Sequence, residues 1–255
     1  MVFPLYDDNS DRQIFPYVNY ALIALNVLVF VALQGIGTNE EFTYSFSTVP
    51  LEILTGQDIT TASREVLDPV SGQRFLIPGL GETWPSVYLT LLTSMFMHGG
   101  IAHLAGNMLF LWIFGDNIED RLGHVRYTIF YLVCGLIASL AHVFTTYAFA
   151  TNESSLLVPS LGASGAISGV LGGYMLLHPS RRVTVFLFRF LTEVPAWVAI
   201  GIWFGFQLIS GLGVLGDGSA QGGVAYAAHI GGFIAGLVLI KFFDIGHSRV
   251  TSNPY

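Results

Sequence analysis

The chain has 255 residues, of which 53% are hydrophobic and only 11% charged, with a mean hydropathy of +0.62. Soluble domains carry roughly 25% charged residues, so this composition excludes a soluble enzyme. With 10 Lys and Arg against 17 Asp and Glu, the net charge of −7 leaves no basic surface to neutralise phosphates, which excludes a nucleic-acid-binding chain.

The bilayer is the solvent these numbers point to. A spanning helix needs about 20 apolar residues, so the length accommodates six spans in one bundle. Residues 1–16 are acidic and lack the basic start of a cleavable signal peptide, so they are expected to form a cytoplasmic tail before a retained first span. Six apolar stretches follow, at about 17–36, 100–115, 127–149, 160–178, 195–212 and 223–243, bounded by Pro, Gly and charged residues. The second is short. The apolar stretch Val87 to Met97 either lengthens it or dips partway into the bilayer. Residues 17–245 thus read as one all-α, six-transmembrane-helix domain, with 246–255 as a cytoplasmic C-terminal tail. The connection from Gly37 to Pro85 is a long first loop, too polar to cross and rich in Pro and aromatic residues that suit an interfacial position. The single Cys134 lies in an apolar run and reads as packing.

Basic residues set the orientation. With the N-terminus inside, Arg12, Arg121, Arg126, Arg181, Arg182, Arg189, Lys241 and Arg249 fall on the cytoplasmic side, leaving only Arg64 and Arg74 outside. The positive-inside rule therefore expects both termini in the cytoplasm, and a prokaryotic plasma membrane suits that assignment.

Polar groups within spans are costly and are functional candidates by default. His103 and Asn107 lie early in the second span, Ser164 early in the fourth and His229 early in the sixth. These three helices all run from outside to inside, so an early position means a shallow depth, about 10 to 12 Å below the outer surface at 1.5 Å per residue. His103 and Asn107 are four apart and share a helix face. Ser164 sits in Gly162-Ala163-Ser164-Gly165, almost without side-chain bulk around its hydroxyl. Gly165, Gly169 and Gly173 recur every four residues, and Ala228, Gly232 and Gly236 answer them in the sixth span. Such small-residue stripes let membrane helices approach closely, which would bring Ser164 to His229. A serine and a histidine within hydrogen-bond reach are a nucleophile and its general base. The nearest acids, Asp116, Glu119, Glu193, Asp217 and Asp244, lie at or beyond span ends. A Ser-His dyad is therefore expected, its imidazole oriented by packing rather than by a carboxylate. The side-chain N–H groups of His103 and Asn107, with the backbone N–H of Ser164, would stabilise an oxyanion.

These residues resemble those of the rhomboid family of intramembrane serine proteases. The likeness rests on Gly162-Ala163-Ser164-Gly165, on Ala228-His229-Ile230-Gly231-Gly232, and on His98, His103 and Asn107, with Gly115, Glu119, Arg121 and Leu122-Gly123 at the inner end of the second span. It implies Ser164 as nucleophile, His229 as base, His103 and Asn107 around the oxyanion, and a water-filled cavity opening outward. It also implies single-pass or multi-pass membrane proteins as substrates, with small residues before the scissile bond. Two positions depart from the pattern. Ser168 stands where many members have an aromatic that stacks on the histidine, and Trp84 is followed by Pro85 where the family has Arg.

Competing readings are weighed alongside. Ser164 also suits a tight helix crossing, His229 a carbonyl-bonded core histidine, and His103 with Asn107 interhelical glue. His98 lines the cavity or sits at the interface. Glu119 and Arg121 are expected to form a structural ion pair, and His142 and His178 to bond locally or face solvent. The glycine-rich loop from Gly211 to Gly223 reads as a lid, and the fifth span, with Trp203 and Phe204, as a lateral gate. No cluster has metal-ligand spacing, so neither metal nor cofactor is expected. The alternatives are a catalytically silent rhomboid-like protein that binds membrane proteins, and a small transporter. The first usually lacks the serine or histidine, and the second would show paired carboxylates or inverted repeats.

Overall fold

The computed structural model describes residues 2–67, 74–150, 152–187, 190–211 and 226–245. The chain opens with strand β1 (Val2–Asp7) and enters helix α1 (Tyr17–Leu28), prolonged by a π turn over Val29–Leu33. Two short helices, α2 (Glu40–Ser45) and α3 (Pro50–Thr55), precede an antiparallel hairpin of β2 (Arg64–Leu67) and β3 (Arg74–Ile77). A one-turn helix α4 (Thr90–Thr93) between 3-10 turns leads to α5 (Ile101–Leu122) and then α6 (His124–Phe149). Helix α7 (Ser164–Leu177) follows, then strands β4 (Arg182–Leu187) and β5 (Phe190–Pro195), and helices α8 (Ala196–Gly211) and α9 (Tyr226–Phe243).

Apolar helices stand in all six stretches marked by the sequence. Among the described residues, α6 and α9 are long and apolar enough to cross a membrane singly. Val87–Phe96 and Ile101–Leu122 pass that test as a pair bent by 78°, and Tyr17–Leu33, Ser164–Leu177 and Ala196–Gly211 are shorter apolar helices. The segment before α5 thus meets it at a sharp bend. Helix α5 runs seven residues past its expected end and stops where Gly123, at φ 77, takes a left-handed conformation that lets the chain turn straight into α6.

The expectation of an all-α chain is corrected by two small sheets. β1 pairs antiparallel with β4, from Val2 opposite Leu187 to Asp7 opposite Val183, and β4 pairs with β5. Residues 182–187, RVTVFL, alternate polar and β-branched or apolar residues, and Val183 and Val185 are fully buried. The strand β4 gives the backbone of the first residues a partner.

Polar contacts fasten the same end of the bundle. Asp7 accepts hydrogen bonds from Tyr174 and from Asn117, both at 2.7 Å. Arg181 donates to Asn117 and binds both carboxylate oxygens of Asp11 at 2.7 Å, while Arg12 pairs with Asp116 at 3.0 Å. The predicted Glu119–Arg121 ion pair is not formed. Residues two apart on a helix point to different faces. Arg121 instead binds Asp244 beyond α9, at 2.5 and 2.8 Å. Glu119, fully buried, accepts the free N–H groups of Val18 and Asn19 at the start of α1, at 2.9 and 2.6 Å, and meets His124 Nδ1 at 2.5 Å. A carboxylate there satisfies helix-end donors and opposes the positive end of the helix dipole.

Burial pushes the Asp7 carboxyl up to about 7, against the opposing effect of the Tyr174 hydrogen bond. The folded protein then holds a proton that the unfolded chain releases, so this group lowers stability as pH rises from about 4 to about 7, by up to about 4 kcal/mol. The prediction is that Asp7→Asn, which mimics the protonated side chain, gains stability relative to the parent as pH is raised from 5 to 8. Thermal unfolding in detergent reads this, and a difference that stays constant with pH would contradict it.

Candidate active site

Glycine at the α7–α9 crossing brings the two helix backbones into contact. A Cβ at Gly232 would overlap the carbonyl oxygen of Gly165, one at Gly236 the carbonyl of Gly169, and one at Gly172 the carbonyl of Phe233. On the other side of α7, a Cβ at Gly169 would overlap Cys134 of α6, which gives that buried cysteine its packing role. The predicted pairing of stripes is therefore found with one change. Gly173 faces Ile240 and Phe130 side chains, and its neighbour Gly172 makes the backbone contact.

At the open end of this crossing Ser164 Oγ lies 2.7 Å from His229 Nε2. Ser164 is the first residue of α7, so its backbone N–H belongs to the first turn, where donors have no partner within the helix. His103 and Asn107 approach from α5. A Cβ at Gly162 would stand 2.9 Å from His103 Nε2 and 3.7 Å from Asn107 Nδ2, so both nitrogens flank the backbone two residues before Ser164. Gly162, at φ +123, is a position that only glycine fills without strain. His103 Nδ1 accepts the Gly99 N–H at 3.4 Å, which leaves its proton on Nε2. Asn107 is 7% exposed, and its Nδ2 is buried without a partner. Two side-chain donors and a helix N-terminus thus converge beside a hydroxyl already bonded to an imidazole.

These groups open into a cavity of about 1000 Å³ that Ser164, His229, His103, Asn107 and Trp203 help to line. One wall comes from the segment between α1 and α4, including Tyr44, Thr61, Arg64 and Leu80. The same segment anchors the site from behind. Gln34 at the end of α1 holds the backbone of His98, donating to its carbonyl at 2.9 Å and accepting its N–H at 3.0 Å. Thr48 and Ser160 exchange backbone hydrogen bonds at 2.9 and 2.8 Å, and the Gly162 N–H donates to Ser94 at 2.8 Å. These bonds fix the start of α5 and the strand of chain leading into Ser164.

Two expectations change here, for His98 and for the group that orients His229. His98 is fully buried, with its ring edge-on to His103 at 5.2 Å between centroids, and it does not line the cavity. It sits in the short link between the 3-10 turn Ser94–Phe96 and α5, where Gln34 holds its backbone. Ser168 is buried and donates to the Ser164 carbonyl at 2.6 Å, so it leaves the histidine ring uncovered. The imidazole is instead bonded on its far side, His229 Nδ1 to Gln207 Oε1 of α8 at 2.7 Å. Reading for carboxylates passed over this amide, although a glutamine in an otherwise apolar helix is the available signal. Trp203 lies one turn before it, 6.1 Å from the His229 ring, while Phe204 stacks on Phe233 at 4.1 Å. The predicted lid falls mostly on residues 212–223, outside the described residues. The predicted C-terminal tail, 246–255, also lies outside them.

Residues 85–244 match the family model described as "Rhomboid domain". The chain is similar to "Rhomboid protease GluP" of Bacillus subtilis (strain 168), 31% identical over 224 residues, covering 87% of this chain and 34% of that protein. It is also similar to "Rhomboid protein 1, mitochondrial" of Saccharomyces cerevisiae, 32% identical over 166 residues, covering 65% of this chain and 44% of that one. A third relative is "RHOMBOID-like protein 4" of Arabidopsis thaliana, 34% identical over 149 residues, covering 58% and 32%. The chain spans between about a third and under half of the length of these relatives. All the cavity groups on α5, α7, α8 and α9 lie inside the matched segment.

The crossing geometry predicts that Gly236→Ala destabilises the protein by about 1–3 kcal/mol, because the methyl group has nowhere to go but the α7 backbone. Gly201→Ala, inside α8 with nothing within 4 Å of its Cβ position, is expected to be neutral or to stabilise by up to about 1 kcal/mol. Thermal unfolding of both variants checks this, and equal stability would contradict the backbone contact.

Proposed function

The chain belongs to the rhomboid family, and on that premise we propose that it is an intramembrane serine endopeptidase acting through Ser164 and His229. The observation that carries the reading is the 2.7 Å contact between Ser164 Oγ and His229 Nε2 at the floor of an open cavity. Ser164 Oγ attacks the scissile carbonyl carbon as its proton passes to His229 Nε2. The carbonyl oxygen becomes an oxyanion that takes hydrogen bonds from His103, Asn107 and the Ser164 N–H, a setting in which one donor is worth about 3 to 4 kcal/mol. The C–N bond then breaks and the imidazolium returns the proton to the leaving amine. Water, deprotonated by the same imidazole, cleaves the acyl-enzyme and regenerates the hydroxyl.

The substrate class follows from where the cavity sits. Rhomboid proteins are integral to the membrane, and the apolar helices here suit that setting. In the arrangement we propose, six spans over residues 17–245 put both termini in the cytoplasm of a prokaryotic cell and the cavity toward the outer leaflet. Substrates are then membrane proteins cut in or near the outer end of a spanning helix. An intact helix keeps its carbonyls bonded, so segments with Gly, Pro or polar residues are preferred. Helix α8, which carries Trp203 in the cavity wall, is the side by which such a segment enters.

The test is labelling of the detergent-purified protein by a fluorophosphonate, together with cleavage of a membrane-embedded reporter. Parent protein is expected to label and cut, whereas Ser164→Ala and His229→Ala lose at least about 1000-fold in rate. Asn107→Ala is expected to lower kcat about 100-fold. Absence of serine-dependent labelling and cleavage in the parent would overturn the protease reading in favour of a silent membrane-protein-binding relative.

A further inference from the structure

A histidine acting as base has to present a bare Nε2 to the serine, and in this site something other than stacking must select that tautomer. Ser168 leaves the ring uncovered, and the aromatic neighbours Trp203 and Tyr226 lie with centroids 6.1 and 6.5 Å away, tilted or edge-on rather than stacked. The titratable side chains that act on or pack against His229 are His103, His142 and Tyr226, none of them a carboxylic acid. What does touch the ring is Gln207, whose Oε1 lies 2.7 Å from Nδ1.

A glutamine carbonyl oxygen only accepts hydrogen bonds. The bond therefore puts the single proton of the neutral imidazole on Nδ1 and leaves Nε2 as acceptor for the Ser164 hydroxyl, 2.7 Å away on the opposite side of the ring. When Nε2 takes the serine proton, Nδ1–H becomes part of a cation, and its bond to Oε1 strengthens. An amide does here what a carboxylate does in a Ser-His-Asp triad, without burying a charge.

We propose that Gln207 is the positioning residue for His229, so that Ser164, His229 and Gln207 form one hydrogen-bonded chain in place of a bare dyad. The inference rests on the protease reading above. It also places the holder of the base on α8, whose buried residues are Ala196, Ala199 and Ile200 near its start, while Phe206, Leu208 and Ile209 around Gln207 are exposed. Trp203 and Gln207, four residues apart and so on one face, carry the cavity wall and the base contact on the same helix.

The experiment uses the full chain in detergent and compares Gln207→Met, which keeps size and removes the acceptor, with Gln207→Glu, which keeps the acceptor. Steady-state cleavage of a membrane-embedded reporter, fluorophosphonate labelling rate and thermal unfolding are measured for each across pH 5 to 9. Gln207→Met is expected to lose about 10-fold or more in kcat and in labelling rate with KM little changed, the worth of one orienting hydrogen bond. Gln207→Glu is expected to keep kcat at neutral pH and to move the acidic limb of the pH–rate profile upward, since a carboxylate favours the imidazolium. Parent-like kcat in a folded Gln207→Met overturns the proposal. If that variant does not fold, an unshifted acidic limb in Gln207→Glu overturns it instead. A parent protein that shows no Ser164-dependent labelling overturns the protease reading, and this inference falls with it.

Discussion

Everything at the open end of this molecule depends on how closely α7 and α9 approach. Their separation is set by peptide backbone against peptide backbone at Gly232 with Gly165 and Gly236 with Gly169, so no side-chain rotamer intervenes. In a bilayer, where apolar burial adds little between helices, such contact is what dispersion and packing have to work with. A crossing fixed this way holds Ser164 and His229 at hydrogen-bond distance one turn further out, although 65 residues separate them in the chain.

The polar groups are divided between the two ends of the bundle. At one end, Asp7, Asn117, Tyr174, Arg181 and Glu119 fasten the first strand and the start of α1 to α5 and α7. These contacts are largely paired and buried, and they serve as clamps. At the other, Gln34, Thr48 and Ser94 spend their hydrogen bonds on backbone of the chain leading into α5 and α7. That support leaves Asn107 Nδ2 unpartnered beside the cavity. An unpaired buried donor costs stability, and under the proposed protease reading that cost keeps a donor ready for a transient oxyanion.

Much of the site was legible from the amino acids because two periodicities and one depth argument converge on it. His103 and Asn107 share a face by their spacing, the glycine stripes repeat every four residues, and a cytoplasmic assignment of the basic residues puts all four polar groups at one expected level. What depended on distant partners was not legible. The strand Val2–Asp7 contains Pro4 and finds its partner about 180 residues later, so no local pattern announces it. Arg121 sits near Glu119 in sequence, yet helix geometry sends it to Asp244. His98 has the polarity of a cavity residue, but it is fully buried edge-on to His103 and outside the cavity lining. Gln207 escaped a search for acids because the group that meets the histidine is neutral, and only the fold brings α8 to α9.

In the proposed mechanism one oxygen position is shared by the Ser164 N–H, His103 and Asn107 while Ser164 Oγ is bonded to the reacting centre. The most direct measurement is a crystal structure of the protein after reaction with a fluorophosphonate, whose tetrahedral phosphorus mimics the intermediate. Phosphorus is expected on Ser164 Oγ, with its oxygen about 3 Å from the Ser164 N–H, His103 Nε2 and Asn107 Nδ2, and His229 still held between Ser164 and Gln207. A phosphoryl oxygen directed away from α5, or phosphorus on another residue, would contradict it.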